Sequence, residues 1–191
     1  MRVLTIPLAT GILLLLSSCD AVLTESPISD RTSPLLQEQL TGIWQHEDGT
    51  IHVAFDSNGS GHTASLDWSK NKFKLEQGEL HAAEIGGEKF FSFKPIVQDP
   101  DDDPKGYILA HFQFAGDDEL QIFSPDVEAF ENKVKSGDLE GKVDKGKYST
   151  RIFAEDVSAI LEEPDAAIKL FSREESLLLR RLSEDNKVTN E

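Results

Sequence analysis

Tyr107-Ile108-Leu109-Ala110-His111-Phe112-Gln113-Phe114 is the stretch on which the fold turns. Ile108, Ala110, Phe112 and Phe114 fall on one side of an alternating register, and alternation every second residue marks a strand with a buried face. Gly116-Asp117-Asp118 follows as a turn, and Leu120 to Phe123 supplies a return strand, so the pair predicts a hairpin. Toward the N-terminus, Phe90, Phe91 and Phe93 form an aromatic strand behind a second turn at Gly86-Gly87. A further hairpin is expected around Gln77-Gly78, between Phe73/Leu75 and Leu80/Ala82. Ile51, Val53 and Phe55 alternate with His52, Ala54 and Asp56, and Asp56-Ser57-Asn58-Gly59-Ser60-Gly61 holds residues that tolerate positive φ. That predicts a hairpin returning through His62 to Trp68.

Helical segments punctuate this meander. Leu35, Leu36 and Leu40 suit a short turn of helix leading into the fold. Ser124-Pro125-Asp126 predicts a helix start, with Ser124 as N-cap, Pro125 at the first helical position and an acid facing the dipole. Val127, Phe130 and Val134 make one stripe, and Gly137 ends it. A second helix is expected over Ala154 to Glu162, with Val157, Ile160 and Leu161 inward and Pro164 as the stop. Leu139 to Val143 and Tyr148 to Phe153 predict two strands joined at Asp144-Lys145-Gly146. For the C-terminus, Ser172-Arg173-Glu174-Glu175 matches a capping box ahead of a helix. The favoured expectation is instead a hairpin of Ala167 to Phe171 and Ser176 to Leu182. The fold class is therefore mainly β with two short helices (α+β), built as an antiparallel meander.

Gly42-Ile43-Trp44, at the start of this meander, resembles the first signature of lipocalins. In that family the Trp plugs the closed end and packs under an Arg from near the end of the barrel. The resemblance implies that the meander closes into a small lipocalin-like barrel, and it assigns this structural role to Trp44 with Arg180 or Arg181, a favourable cation–π arrangement. The chain departs from the pattern in two respects. No Thr-Asp-Tyr follows mid-chain, and the helices are inserted between strands where a lipocalin carries one after its barrel.

A second resemblance lies ahead of everything that folds. Met1-Arg2 is followed by an apolar run from Val3 to Leu16 broken only by Thr5, Pro7, Thr10 and Gly11, and then by Leu16-Ser17-Ser18-Cys19-Asp20. A basic start, an apolar core and small residues at the exit make the pattern of a secretory signal, and the run is too short for a spanning helix of roughly 20 residues. Leu16-Ser17-Ser18-Cys19 resembles the lipobox of bacterial lipoproteins. The resemblance implies removal of residues 1–18, a thioether-linked diacylglycerol on Cys19 and acylation of its amine, giving membrane attachment through lipid. In enteric bacteria an Asp after the cysteine, here Asp20, favours the periplasmic face of the inner membrane; the outer membrane is the other destination. The expected organisation is a signal peptide over 1–18, a lipidated N-terminus and flexible tether over 19–34, one β-rich domain over 35–184 and a disordered tail over 185–191. The tether's reach is about 20 Å for a flexible chain of that length.

Composition narrows function by exclusion. With 35 acidic against 19 basic residues the net charge is −16, which repels nucleic acid and anionic headgroups. Cys19 is the single cysteine, so no intramolecular disulfide forms, and once lipidated it offers neither nucleophile nor thiolate ligand. Asp99, Asp101 and Asp103, in Asp99-Pro100-Asp101-Asp102-Asp103-Pro104, are the candidate cation ligands. An EF-hand is excluded, because Pro104 stands where its Gly is needed and Ala110 where its Glu is needed. The histidines at 46, 52, 62, 81 and 111 lack metal-ligand spacing, although His52 and His62 could meet across the first hairpin. No Gly-x-Ser-x-Gly or other catalytic set is present. The expectation is a non-enzymatic, cofactor-free lipoprotein of the cell envelope with a binding or structural role. A lipocalin-like carrier of a small apolar ligand is one alternative, and an inhibitor of a basic secreted protein such as lysozyme is another.

Overall fold

The computed structural model describes residues 20–69, 72–97, 99, 104–146 and 149–182. The expected signal peptide, Cys19, Asp101, Asp103 and the tail 185–191 lie outside them. Chain order begins β1 (Ala21–Thr24), α1 (Pro34–Leu40), β2 (Gly42–His46), β3 (Gly49–Phe55), β4 (Gly61–Ser69) and β5 (Lys72–Ile85). It continues through β6 (Glu88–Ile96), β7 (Tyr107–Phe114), β8 (Glu119–Pro125), α2 (Val127–Ser136), β9 (Gly141–Lys145) and β10 (Thr150–Ala154). The last described elements are α3 (Ser158–Leu161), α4 (Ala166–Leu170) and β11 (Phe171–Arg181).

Strands β2 to β8 pair in sequence, β11 pairs with both β8 and β2, and β6 also pairs with β7. The result is a closed antiparallel barrel of eight strands, the architecture expected of a lipocalin-like meander. Every second residue of the staves points inward. Trp44, Ile51, Leu80, Phe91, Phe112, Ile122 and Leu179 fill the interior. One end is plugged by α1. Ser33 caps this helix, its Oγ accepting from Leu36 N, and Pro34 supplies a first position that needs no donor. Leu36 and Leu40, four apart, present one buried face to the barrel. The other end carries the β2–β3, β4–β5 and β6–β7 connections and the segment between β8 and β11.

β7 is buried on both sides. Ile108, Ala110 and Phe112 face the interior, while Leu109 and His111 face a second core outside the wall. That core joins Phe90, Phe123, Phe130, Ile152, Leu170 and Phe171. It is covered by α2, α3, α4 and a side sheet in which β1 pairs parallel with β10 and antiparallel with β7. One edge of β7 is therefore shared: His111 to Phe114 pair with β8, and Tyr107 and Ile108 with β1.

Several expectations need correction. The segment expected as a flexible tether is built into the fold, since Val22 and Leu23 are buried in β1. Residues after it cross the outer wall, where Ile28 N donates to Ser92 Oγ (2.9 Å) and Ala82 N to Thr32 Oγ1 (2.9 Å). The buried apolar residues and these hydrogen bonds outweigh the loop-like composition around them. Gln77-Gly78 is not a turn: β5 runs unbroken through it, and Gly78 accommodates the Phe93 ring, which would lie 2.1 Å from an added Cβ. Gly86 (φ 61) and Gly87 (φ 85) do form the tight hairpin turn, both in the left-handed region a type I′ turn requires.

The described helices number four, not two. α2 starts two residues later than expected: Asp126 is its N-cap, accepting from Ala129 N (3.1 Å), because Ser124 and Pro125 are still strand. α3 is one turn, Ala154 having been drawn into β10. Ala166 to Leu170 is helix, and Ser172 to Glu175 lies within β11, whose register shifts between Phe171 and Ser176. The bulge replaces the expected turn, and Ser176 to Arg181 is strand.

Candidate functional site

Two ends of one barrel carry the polar features. At the plugged end, Gly42 adopts φ 140, a conformation favouring glycine, and turns the chain from α1 into β2. Trp44 is then fully buried, its Nε1–H donating to Leu40 O (2.8 Å). The Arg181 guanidinium lies 4.4 Å from the Trp44 ring centroid and donates to the Thr41 carbonyl (2.6 Å) and the Gln39 carbonyl. Arg180 points the other way, its Nε donating to Glu119 Oε1 (3.2 Å) at the surface. Strand parity separates the two neighbours, because β11 pairs Arg181 with Trp44.

Beneath this plug the interior is apolar and nearly filled. The remaining void is about 60 Å³, bordered by Trp44, Val53, Leu80, Phe91, Ile122 and Leu179 among others. Toward the open end the lining turns polar. His46 and Asp67 are buried, with His46 Nε2 3.1 Å from Asp67 Oδ1. Asp48 N donates to His46 Nδ1 (3.3 Å), which leaves Nε2–H to donate to the carboxylate. Asp67 Oδ2 is buried without a hydrogen-bond partner, as is Glu76 Oε2, whose other oxygen pairs with Lys74 (2.6 Å). Neither His46 nor Asp67 stood out in the sequence. Their parity with Trp44 and Ser65 on alternating strands was the available signal, but the strand register that brings them together is not local.

Another buried imidazole, His111, packs among Phe90, Phe123 and Phe171 with ring centroids 5.2–5.6 Å away. Its Nε2 is 3.0 Å from Glu88 Oε2. Burial holds its pKa below the ordinary value, and the Glu88 carboxylate only partly offsets this. Among the described residues His46 is hydrogen-bonded to Asp67 and Asp48 N, and His111 to Glu88.

The other expected site residues are scattered. Asp99 is exposed beyond the end of β6. His52 is exposed opposite Ala64, while His62 lies 4.0 Å from Asp56, so the two do not converge on each other. Among the described residues no cluster of three or more His, Cys, Asp or Glu is placed to hold a metal ion. Asp20 Oδ1 accepts from Thr150 N (2.6 Å), which ties the residue to the start of β10. Beside it, where β1 and β8 part along β7, opens a cleft of about 290 Å³ whose rim includes Asp20, Asp126 and Glu128. Asp126 is already used as the cap of α2. Compared with protein-family models, curated proteins and solved structures, the chain matches none.

Proposed function

We propose that this chain is an envelope lipoprotein, anchored through acyl groups on Cys19, whose barrel acts by binding a partner and not by catalysis. The observation that carries the reading is the placement of Leu16-Ser17-Ser18-Cys19 directly ahead of the fold, with β1 starting at Ala21. A modified Cys19 would stand one residue from a strand anchored in the second core, so the lipid would hold the body close to the bilayer. Several acyl chains, each contributing about 0.8 kcal/mol per buried CH₂, give a stable anchor. Asp20 favours the periplasmic face of the inner membrane, with the outer membrane as the alternative.

The interior supports binding at the outer surface over carriage of an apolar ligand. A void of about 60 Å³ is well short of the roughly 300–1,000 Å³ typical of small-molecule sites. The net charge of −16 favours a basic partner, and inhibition of a basic secreted protein such as lysozyme is one form that binding would take. Growth of a bacterial host with a clickable palmitate analogue tests the anchor. Label is expected on the wild-type chain and not on Cys19→Ser. Equal labelling of both, or of neither, would sink the lipoprotein reading.

A further inference from the structure

His46, Asp67, Lys74 and Glu76 share one lining at the open end of the barrel. Trp44, Thr63 and Leu80 border the interior void, and alternation along their strands carries the same inward side to these four positions. Cross-strand register sets Asp67 between Gly49 and Lys74, and Ser65 beside Glu76. The Asp67 carboxylate is built into this wall, because a Cβ on Gly49 would lie 2.4 Å from its Oδ1. His46 Nε2–H donates to that same oxygen (3.1 Å).

Two acceptors are left over. Asp67 Oδ2, on a side chain 5% exposed, and Glu76 Oε2 are both buried with no hydrogen-bond partner. An ionised carboxylate only accepts, and an unpaired one held away from water is costly, so both oxygens suit a donor that carries positive charge.

We propose that this mouth receives a guanidinium group, presented by a basic protein partner as an arginine side chain. The site rests on a basic protein as the partner and not on the lipid at Cys19. Three observations select this occupant. Among the described residues no three His, Cys, Asp or Glu side chains are placed for a metal ion, so the cation brings its own N–H donors. Below the mouth the lining is apolar and the void is about 60 Å³, so a charged head stops at Asp67 and Glu76. The Lys74 ammonium, carried opposite Asp67, pairs with Glu76 Oε1 (2.6 Å) and leaves Asp67 Oδ2 bare. A guanidinium offers five N–H donors in a planar fork, which reaches both carboxylates and displaces Lys74, the internal cation now on Glu76. A buried water is the competing occupant, and it is indifferent to the charge of a probe.

Nuclear magnetic resonance of the full, isotope-labelled chain in a non-ionic detergent follows titration with Nα-acetylarginine amide at physiological ionic strength. Nα-acetyllysine amide and the uncharged Nα-acetylcitrulline amide are the comparison arms. Saturable shifts are expected at the His46 imidazole and at the Asp67 and Glu76 amides with the arginine probe, weaker ones with lysine and none with citrulline. Asp67→Asn keeps an acceptor for His46 and so keeps the fold, and it should weaken the arginine probe roughly tenfold through loss of a charged hydrogen bond. Lys74→Met should tighten binding by removing the competitor. No shifts, or shifts spread over the acidic surface that persist in Asp67→Asn, overturn the proposal and assign both oxygens to water. A basic protein that binds the wild-type chain and Asp67→Asn equally also overturns it, while the basic-partner reading stands with its contact elsewhere.

Discussion

Trp44 and Arg181 hold the plugged end through three contacts on one guanidinium: the indole face, the Thr41 carbonyl and the Gln39 carbonyl. A cation–π contact of about 1 kcal/mol and carbonyl hydrogen bonds of similar size set the expected loss. Arg181→Ala should lower the unfolding free energy by about 2 kcal/mol, whereas the surface pair of Arg180 should be worth less than about 0.5 kcal/mol. Urea denaturation of the two variants measures the difference. The chemistry of this contact was legible in Gly42-Ile43-Trp44, but the choice between adjacent arginines was not, because it depends on the β11–β2 register.

His111 makes a second residue-scale prediction. Its folded pKa lies below the ordinary 6.5, so on acidification the unfolded chain takes up the proton first. Its contribution to stability is full above about pH 6.5 and is lost as pH falls from there through the folded value. His111→Phe should flatten the dependence of the urea midpoint on pH in that window. Glu88 is half exposed and tolerates the loss of its partner.

At the scale of elements, alternation located β3, β7 and β8, and paired glycines located the β5–β6 turn. Gln77-Gly78 shows where this reasoning stops. Glycine in a strand marks either a turn or a close approach, and here the Phe93 ring lies across Gly78 from the neighbouring strand. Gly78→Ala is expected to cost about 1–3 kcal/mol through overpacking, and Phe93→Leu in the same chain should recover part of it. A thermodynamic cycle on these variants reads the coupling; additive costs would contradict the contact. α4 and the long β11 were illegible for a related reason. Ala167 to Phe171 suits either state, and the packing of Ala166, Ala167 and Leu170 into the second core selects helix. Tertiary burial overrode local pattern there, as it did where β8 kept Ser124 and Pro125 from starting α2.

For the whole molecule, the decisive feature is that β7 carries a core on each face. Sequence patterning displayed one of them, the stripe Ile108, Ala110, Phe112; the other assembles from β1, β10 and three helices contributed by distant segments. Val22 belongs to that second core and Leu23 beside it is buried, so few residues separate Cys19 from the folded body. On the proposed lipoprotein reading, anchor, side sheet and barrel wall are in series, and a lipid on Cys19 would fix where the body sits. The central claim is that Cys19 becomes the lipidated first residue, and the intact mass of the mature protein purified from bacterial membranes tests it most directly. The account predicts a chain that begins at Cys19, lacks residues 1–18 and carries the added mass of a diacylglyceryl group and an N-acyl chain on that residue. A mature chain with an unmodified Cys19, or one that keeps residues 1–18, would contradict it.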